Sequence, residues 1–411
     1  MDRTFISSYY LRGLKNMLTS FALIFIAGLA LGGIFKKIAL PALIGMIIAG
    51  VIMGPYALDI LDDSLLSISA DLREIALVII LTRAGLSLNL AELKKIGWPA
   101  ILMSFVPASF EIGAITLLAP LLFNLTYIEA ALMGSVVAAV SPAVIVPLML
   151  RIKDSGYGQK RGIPQLILAG ASLDDIFVIV LFTSFLTLAS GGVVSAGHFL
   201  TIPVSIVLGI LVGVLTGFVI GKFFTLIRMN NSVKVLVLLS TSFFLLALED
   251  WLAGTIPLSG LLSIMSMGIV LNQLYPDLSK RLSGTYSKLW IGAEILLFVL
   301  VGTTVDLSYA LSAGVAAIIL VLGALVFRML GVYLSLTPST LNNKEKLFTM
   351  IAYTPKATVQ AAIGGVPLAM GLASGHLIVT VAVLSILITA PIGAFIIEHT
   401  FKRFLERKEL N

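Results

Sequence analysis

From Ile163 to Ala189 the chain carries two ionisable groups, Asp174 and Asp175, side by side, and no other charge. In a soluble protein such a pair would mark a surface turn, with Ser172 or Asp174 capping a helix. Cut at the pair, the flanking runs Ile163–Leu173 and Ile176–Ala189 are each too short to cross a bilayer, which takes roughly 17–25 residues. Joined, they make one full span with both carboxylates near its middle. Composition supports the joined reading. Of 411 residues 59% are hydrophobic and 12% charged, and the mean hydropathy is +1.09. Soluble globular chains carry about 25% charged residues.

Thirteen runs are uncharged enough to span, near 17–35, 38–54, 75–91, 97–123, 128–150, 163–190, 199–227, 233–252, 255–274, 289–305, 309–336, 346–370 and 375–397. The chain reads as an all-α polytopic membrane protein of about thirteen transmembrane helices. Short segments of alternating hydrophobicity, the mark of a membrane β-barrel, are missing from the pattern. With no cysteine there is no disulfide or thiol chemistry. The net charge of +6 comes without a basic cluster interleaved with aromatics, so the partner is a lipid bilayer and not a nucleic acid. Residues 1–16, with Arg3, Arg12 and Lys15, lack a small-residue cleavage site and read as a surface tail.

Orientation follows from the bias of Lys and Arg toward the cytoplasm. Placing the basic tail 398–411 there, with Lys402, Arg403, Arg407 and Lys408, fixes the other loops. Lys36–Lys37, Lys94–Lys95, Arg151 to Arg161, Lys222 to Lys234, Lys280 to Lys288, Lys344 and Lys346 fall on the same side. Arg3, Arg12, Lys15 and Arg73 stay outside. The expectation is a multi-pass protein of the cell membrane with its C-terminus in the cytoplasm and its N-terminus outside.

The remaining cations, Arg83, Arg328 and Lys356, lie in or beside apolar runs, as do Glu111, Asp174, Asp175 and Glu294. A charge at the bilayer centre costs about 2.5–3.5 kcal/mol on insertion scales, so such residues line a pathway or pair with each other. Two short matches relate the halves of the chain. "GLSLNL" at 85–90 resembles "GTTVDL" at 302–307, and "SPAVIV" at 141–146 resembles "TPKATV" at 354–359. They pair the third run with the tenth and the fifth with the twelfth. Seven runs is an odd number, so the halves cross the membrane in opposite senses, the inverted repeat of secondary transporters.

Pro142 and Pro355 fall inside the fifth and twelfth runs and should break both helices near mid-membrane. Irregular backbone at that depth is tolerated in a protein interior or along a wet cavity. Two crossed, discontinuous helices are the expected result. The carbonyl of Val140, before its break, is a candidate cation ligand, as are the hydroxyls of Ser141 and Thr358. Lys356 follows Pro355 directly, where its charge can neutralise the helix C-terminus at the break. With Asp174 and Asp175 these oxygens suit a small alkali cation. His198, His376 and His399 sit at run ends, which argues against a transition-metal site. No P-loop or phosphorylation domain is present, so the chain reads as a carrier driven by an ion gradient, with no enzymatic activity and no cofactor.

The motifs "RAGLSL", "AVSPAVIVP", "LDDI", "YTPKATVQAAIG" and "LSILITAPIG" resemble, in this order from about residue 75 to 397, the cation:proton antiporter superfamily, most closely its NHA branch. The resemblance implies one transporter unit over 17–397. In it a core near 97–190 and 309–397 moves against a scaffold that dimerises, and the protein is a homodimer. It also implies that Asp175 binds Na+ or Li+, and H+, with Asp174 in support. Where better-known relatives have a lysine facing the first aspartate, this sequence has Arg328, which keeps its proton at working pH. In the NHA branch that arginine is expected to pair with the glutamate found here as Glu111. Adjacent carboxylates repel, so a proton and a sodium ion compete for one place, and exchange follows if the carrier turns only when loaded. A potassium/proton antiporter, a sodium-coupled symporter of an organic anion, and a gated channel or receptor are the competing readings.

Overall fold

The computed structural model describes residues 15–38, 40–88, 97–191, 196–252 and 255–407. Arg3, Arg12, Lys94, Lys95, Lys408 and the tail before Lys15 lie outside the described residues.

Helix α1 (Met17–Lys37) starts behind Asn16, whose side chain accepts from the Thr19 amide at 2.9 Å. Next come α2 (Ala42–Met53), the short α3 (Asp63–Ser67) and α4 (Ser69–Ser87). The fourth run is divided into α5 (Trp98–Met103) and α6 (Val106–Phe123), and the fifth into α7 (Tyr127–Val137) and α8 (Pro142–Asp154). The aspartate helix α9 (Ile163–Ala189) is continuous. Helices α10 (Ala196–Leu226), α11 (Asn231–Leu252), α12 (Gly260–Leu274), α13 (Pro276–Thr303) and α14 (Leu307–Ser335) lead to the second divided run. That run is α15 (Asn343–Ala352), α16 (Thr358–Ile363) and α17 (Val366–Ala369), and α18 (Gly375–Phe404) ends the fold.

Every one of the thirteen apolar runs falls on a helix, whole or divided. Among the described residues seven helical segments are long and apolar enough to cross a membrane, one of them α5 and α6 taken together. Among the described residues the β structure is one isolated bridge, Tyr157 to Arg407. The fold is that of an all-α polytopic membrane protein.

The inverted repeat is visible in the packing. Residues that touch their own repeat mates must lie at a pseudo-two-fold axis, and two pairs do so at an offset of 217. These are Glu111 with Arg328, at 2.8 Å, and the Ser141 and Thr358 hydroxyls, at 3.4 Å. Away from the axis a like contact appears twice, in register to within one residue. A Cβ on Gly50 of α2 would come within 2.9 Å of the Gly302 Cα of α13, and one on Gly85 of α4 within 3.1 Å of the Gly268 Cα of α12. Only glycine lets these backbones approach so closely, the usual device where lipid gives helices no hydrophobic reason to associate.

Four expectations need correction. The proline match "SPAVIV"/"TPKATV" has the wrong register. Pro142 is the first residue of α8, where a missing N–H costs nothing, whereas Pro355 sits in irregular chain ahead of α16. The fourth run is also divided, at Ser104–Phe105, with Pro107 restarting the helix. Lys280, Arg281 and Lys288 belong to α13 and not to a loop. They are exposed while Leu278, Leu282, Tyr286 and Trp290 form its buried stripe. The segment from 398 onward is not a free tail at its start, because α18 runs to Phe404 and the Gly158 amide donates to the Glu406 carbonyl at 2.9 Å.

Candidate functional site

Two chain breaks meet beside α9. The α7–α8 break covers Ala138 to Ser141, and the α15–α16 break covers Tyr353 to Ala357. Broken helices leave donors and acceptors without partners, and here many of them are supplied from the opposite break or from buried side chains. The Ser141 amide donates to the Pro355 carbonyl at 2.8 Å. The Lys356 amide donates to Thr389 Oγ1 on α18 at 2.8 Å. The Val140 amide donates to Asp174 Oδ2 at 2.8 Å.

Around this crossing is a network of fully buried charge. Arg328 spreads its fork over four acceptors: Glu111 Oε2 and Asp174 Oδ2, each at 2.8 Å, the Tyr353 carbonyl at 2.7 Å, and the Ala138 carbonyl. Its guanidinium also lies over the Tyr353 ring, 5.3 Å from the centroid. Lys356 Nζ reaches Glu111 Oε2 at 2.6 Å and the Ala138 carbonyl at 3.1 Å. Buried charges are tolerable when paired and hydrogen-bonded in this way.

The expected Glu111–Arg328 pair is present, but it is part of a larger set. Arg328 also holds Asp174. Lys356 Nζ donates to a carbonyl at a broken helix end, but that carbonyl belongs to the C-cap of α7 and not to its own span. Val140 faces Asp174 through its amide; its carbonyl, the expected ligand atom, accepts no hydrogen bond among the described residues. Ser141 Oγ accepts from the Thr358 amide at a long 3.4 Å. Arg83 and Glu294 lie half-buried on the packed helices α4 and α13 and make no hydrogen bond to the network. His399 is not idle, since its Nδ1 contacts the Phe395 carbonyl at 2.8 Å.

Asp175 differs from its neighbour. It is 7% exposed, its Oδ1 is buried without a partner, and it makes no hydrogen bond or ion pair among the described residues. Asp174, at 0% exposure, is bonded through Oδ2 while its Oδ1 is also without a partner. Two cations, Arg328 and Lys356, thus stand against three carboxylates, Glu111, Asp174 and Asp175. Fully ionised, the set is one positive charge short of neutral.

Sequence reasoning missed three contributors. Gln360 donates to the Val137 carbonyl at 2.8 Å and the Ala139 carbonyl at 2.7 Å. Thr389 caps the Lys356 amide, and the Tyr353 hydroxyl donates to the Met103 carbonyl at 3.2 Å, at the break in the fourth run. Gln360 was detectable as a large amide inside "ATVQAAIG", where every neighbour is small or apolar.

Inverted repeats, crossed broken helices and a buried carboxylate pair define a secondary transporter. The family description "Sodium/hydrogen exchanger, transmembrane" matches residues 21–403. The chain is 33% identical over 382 residues to sodium/hydrogen exchanger 9B2 of Mus musculus, covering 90% of this chain and 69% of that one. It is 34% identical to the Homo sapiens 9B2 protein, covering 90% and 71%. Among solved structures, the sodium proton antiporter MjNhaP1 of Methanocaldococcus jannaschii at pH 8 superposes with a TM-score of 0.81 at 20% identity, covering 94% of this chain and 97% of that one. The chain belongs to the sodium/hydrogen exchanger family.

Proposed function

We propose that the protein exchanges Na+ or Li+ for H+ across a membrane by alternating access, with Asp175 as the group that binds either ion. The observation that carries this reading is the contrast between the two aspartates. Asp174 is spoken for by Arg328 and the Val140 amide, while Asp175 is buried and makes no hydrogen bond or ion pair among the described residues. The charge count supports one monovalent cation per loaded state. One Na+ or one H+ brings the set to neutrality, and a neutral core is the form best able to cross the apolar seam, because unbalanced charge in a dry interior is costly.

In this reading Asp174 is a counter-charge to Arg328, and the Val140 carbonyl with the Ser141 and Thr358 hydroxyls completes the cation's shell. Glu111, Arg328 and Lys356 hold the crossing together. Helices α5–α9 and α14–α18 form the moving core, the remaining helices form the scaffold, and the protein works as a homodimer in the bilayer. The C-terminus faces the cytoplasm together with the α8–α9 loop, which it contacts through Tyr157 and Arg407.

The test is proton release from acid-loaded proteoliposomes on addition of Na+, Li+ or K+. The wild-type protein should respond to Na+ and Li+, and Asp175→Asn to neither. A response to K+ alone would make the protein a potassium exchanger. Undiminished Na+-driven release by Asp175→Asn would overturn the assignment of Asp175.

A further inference from the structure

The α7 helix ends in the consecutive carbonyls of Val137, Ala138 and Ala139, the type of group that binds alkali cations at a helix C-terminus. Ala138 is occupied by Lys356 and Arg328. Val137 and Ala139 are both occupied by the two N–H bonds of one amide, Gln360 Nε2. The orientation of that amide is unambiguous. Its Oε1 accepts from the Ala357 amide at 2.9 Å, which can only donate, and its Nε2 faces two carbonyls, which can only accept. Gln360 is 1% exposed, so bulk water does not compete with it at these carbonyls. The first carbonyl left open beyond the three is Val140's, next to the amide bound to Asp174.

The device has no counterpart by the repeat symmetry. At the repeat offset that matches Ser141 with Thr358, Gln360 is matched by Ala143, which has no amide to offer. The clamp is therefore not a symmetric feature of the crossing, and the carbonyls it holds directly precede Val140, whose amide donates to Asp174.

We propose that Gln360 is a positioning and specificity-determining residue for the exchanged cation. It withholds the Val137 and Ala139 carbonyls, so that the cation meets only the few oxygens beside Asp175. A shell of few ligands favours a small ion, whereas two additional carbonyls would admit a larger one. The inference rests on the reading of Asp175 as the ion-binding group and adds to it the origin of ion choice.

The experiment measures half-saturating concentrations and maximal rates for Li+, Na+ and K+ in proteoliposomes. Wild type, Gln360→Asn, Gln360→Met and Asp175→Asn are compared, and each variant's unfolding temperature is recorded without Na+. Methionine keeps the volume and removes both donors, while asparagine is one methylene shorter and reaches fewer acceptors. Loss of groups that hold ligands in place typically weakens metal binding about 10–100-fold. Gln360→Met should raise half-saturating Na+ at least about tenfold at little changed maximal rate, and K+ should begin to compete. Gln360→Asn should lie between. Unchanged affinities and ion order in either variant, even with a lowered unfolding temperature, would make Gln360 a structural clamp only and overturn the proposal. Asp175→Asn keeps the two claims apart. An active Asp175→Asn protein removes the underlying ion site, whereas an inactive one with wild-type ion choice in the Gln360 variants removes only this inference.

Discussion

Arg328 Nη1 lies 2.8 Å from Glu111 Oε2, and the two residues are repeat mates 217 positions apart. The same position at the pseudo-symmetry axis thus carries opposite charges in the two halves, and they join the halves of the chain where the broken helices cross. Since Arg328 also holds Asp174 and Glu111 also holds Lys356, the pair is the centre of a connected set.

Breaking a buried pair by removing one partner costs about 3–5 kcal/mol, because the other charge is left uncompensated. Glu111→Gln and Arg328→Gln should each lower the unfolding temperature in detergent strongly. The double substitution should cost clearly less than the two single losses added, yet more than nothing, since Asp174 and Lys356 lose partners. Arg328→Lys should not rescue, as a point charge cannot serve four acceptors in a fixed plane. Simple additivity of the single losses would show that the two side chains do not act as a pair.

The two aspartates should separate stability from transport. Asp175→Asn removes a group without partners, so the unfolding temperature in Na+-free buffer should stay near wild type while exchange is lost. Asp174→Asn takes the carboxylate from Arg328 and should lower stability. Calorimetry or a thermal-shift assay beside a flux assay reads both. The opposite ranking of the two stabilities would contradict the geometry.

Gly85 and Gly302 are repeat mates at the two close helix contacts. A side chain at either position must push helices apart, and overpacking typically costs about 1–3 kcal/mol. Gly85→Val and Gly302→Val should each reduce the yield of folded protein and its thermal stability by similar amounts. Gly33, whose added Cβ would meet nothing within 4 Å, should accept alanine without loss. Equal tolerance at all three sites would argue against the close packing.

Much of this was readable from sequence because lipid imposes a simple rule. Uncharged runs become helices, and all thirteen did. Glu111 and Arg328 stood out because each is a charge in such a run, while their pairing with each other came from the family resemblance. The register of the breaks was not readable. Matching Pro142 to Pro355 compares letters, whereas the true equivalence, Ser141 with Thr358, depends on where each half-helix starts its hydrogen bonds. Nor could sequence show which carbonyls Gln360 and Lys356 would cap, because those bonds form only when residues more than two hundred positions apart meet. The extension of α13 was hidden by Lys280, Arg281 and Lys288, whose charges read as a loop although they lie on the exposed face of a helix.

The central claim is that one site, centred on Asp175, holds either a proton or a sodium ion. Half-saturating Na+ measured against pH in proteoliposomes tests it most directly. A cation whose ligand must first lose a proton binds more weakly as acidity rises. With one competing proton, half-saturating Na+ should rise about tenfold for each pH unit on the acid side, by the linkage of the two equilibria, while saturating Na+ restores the same maximal rate. Half-saturating Na+ that stays constant while the maximal rate falls with acidity would contradict a shared site.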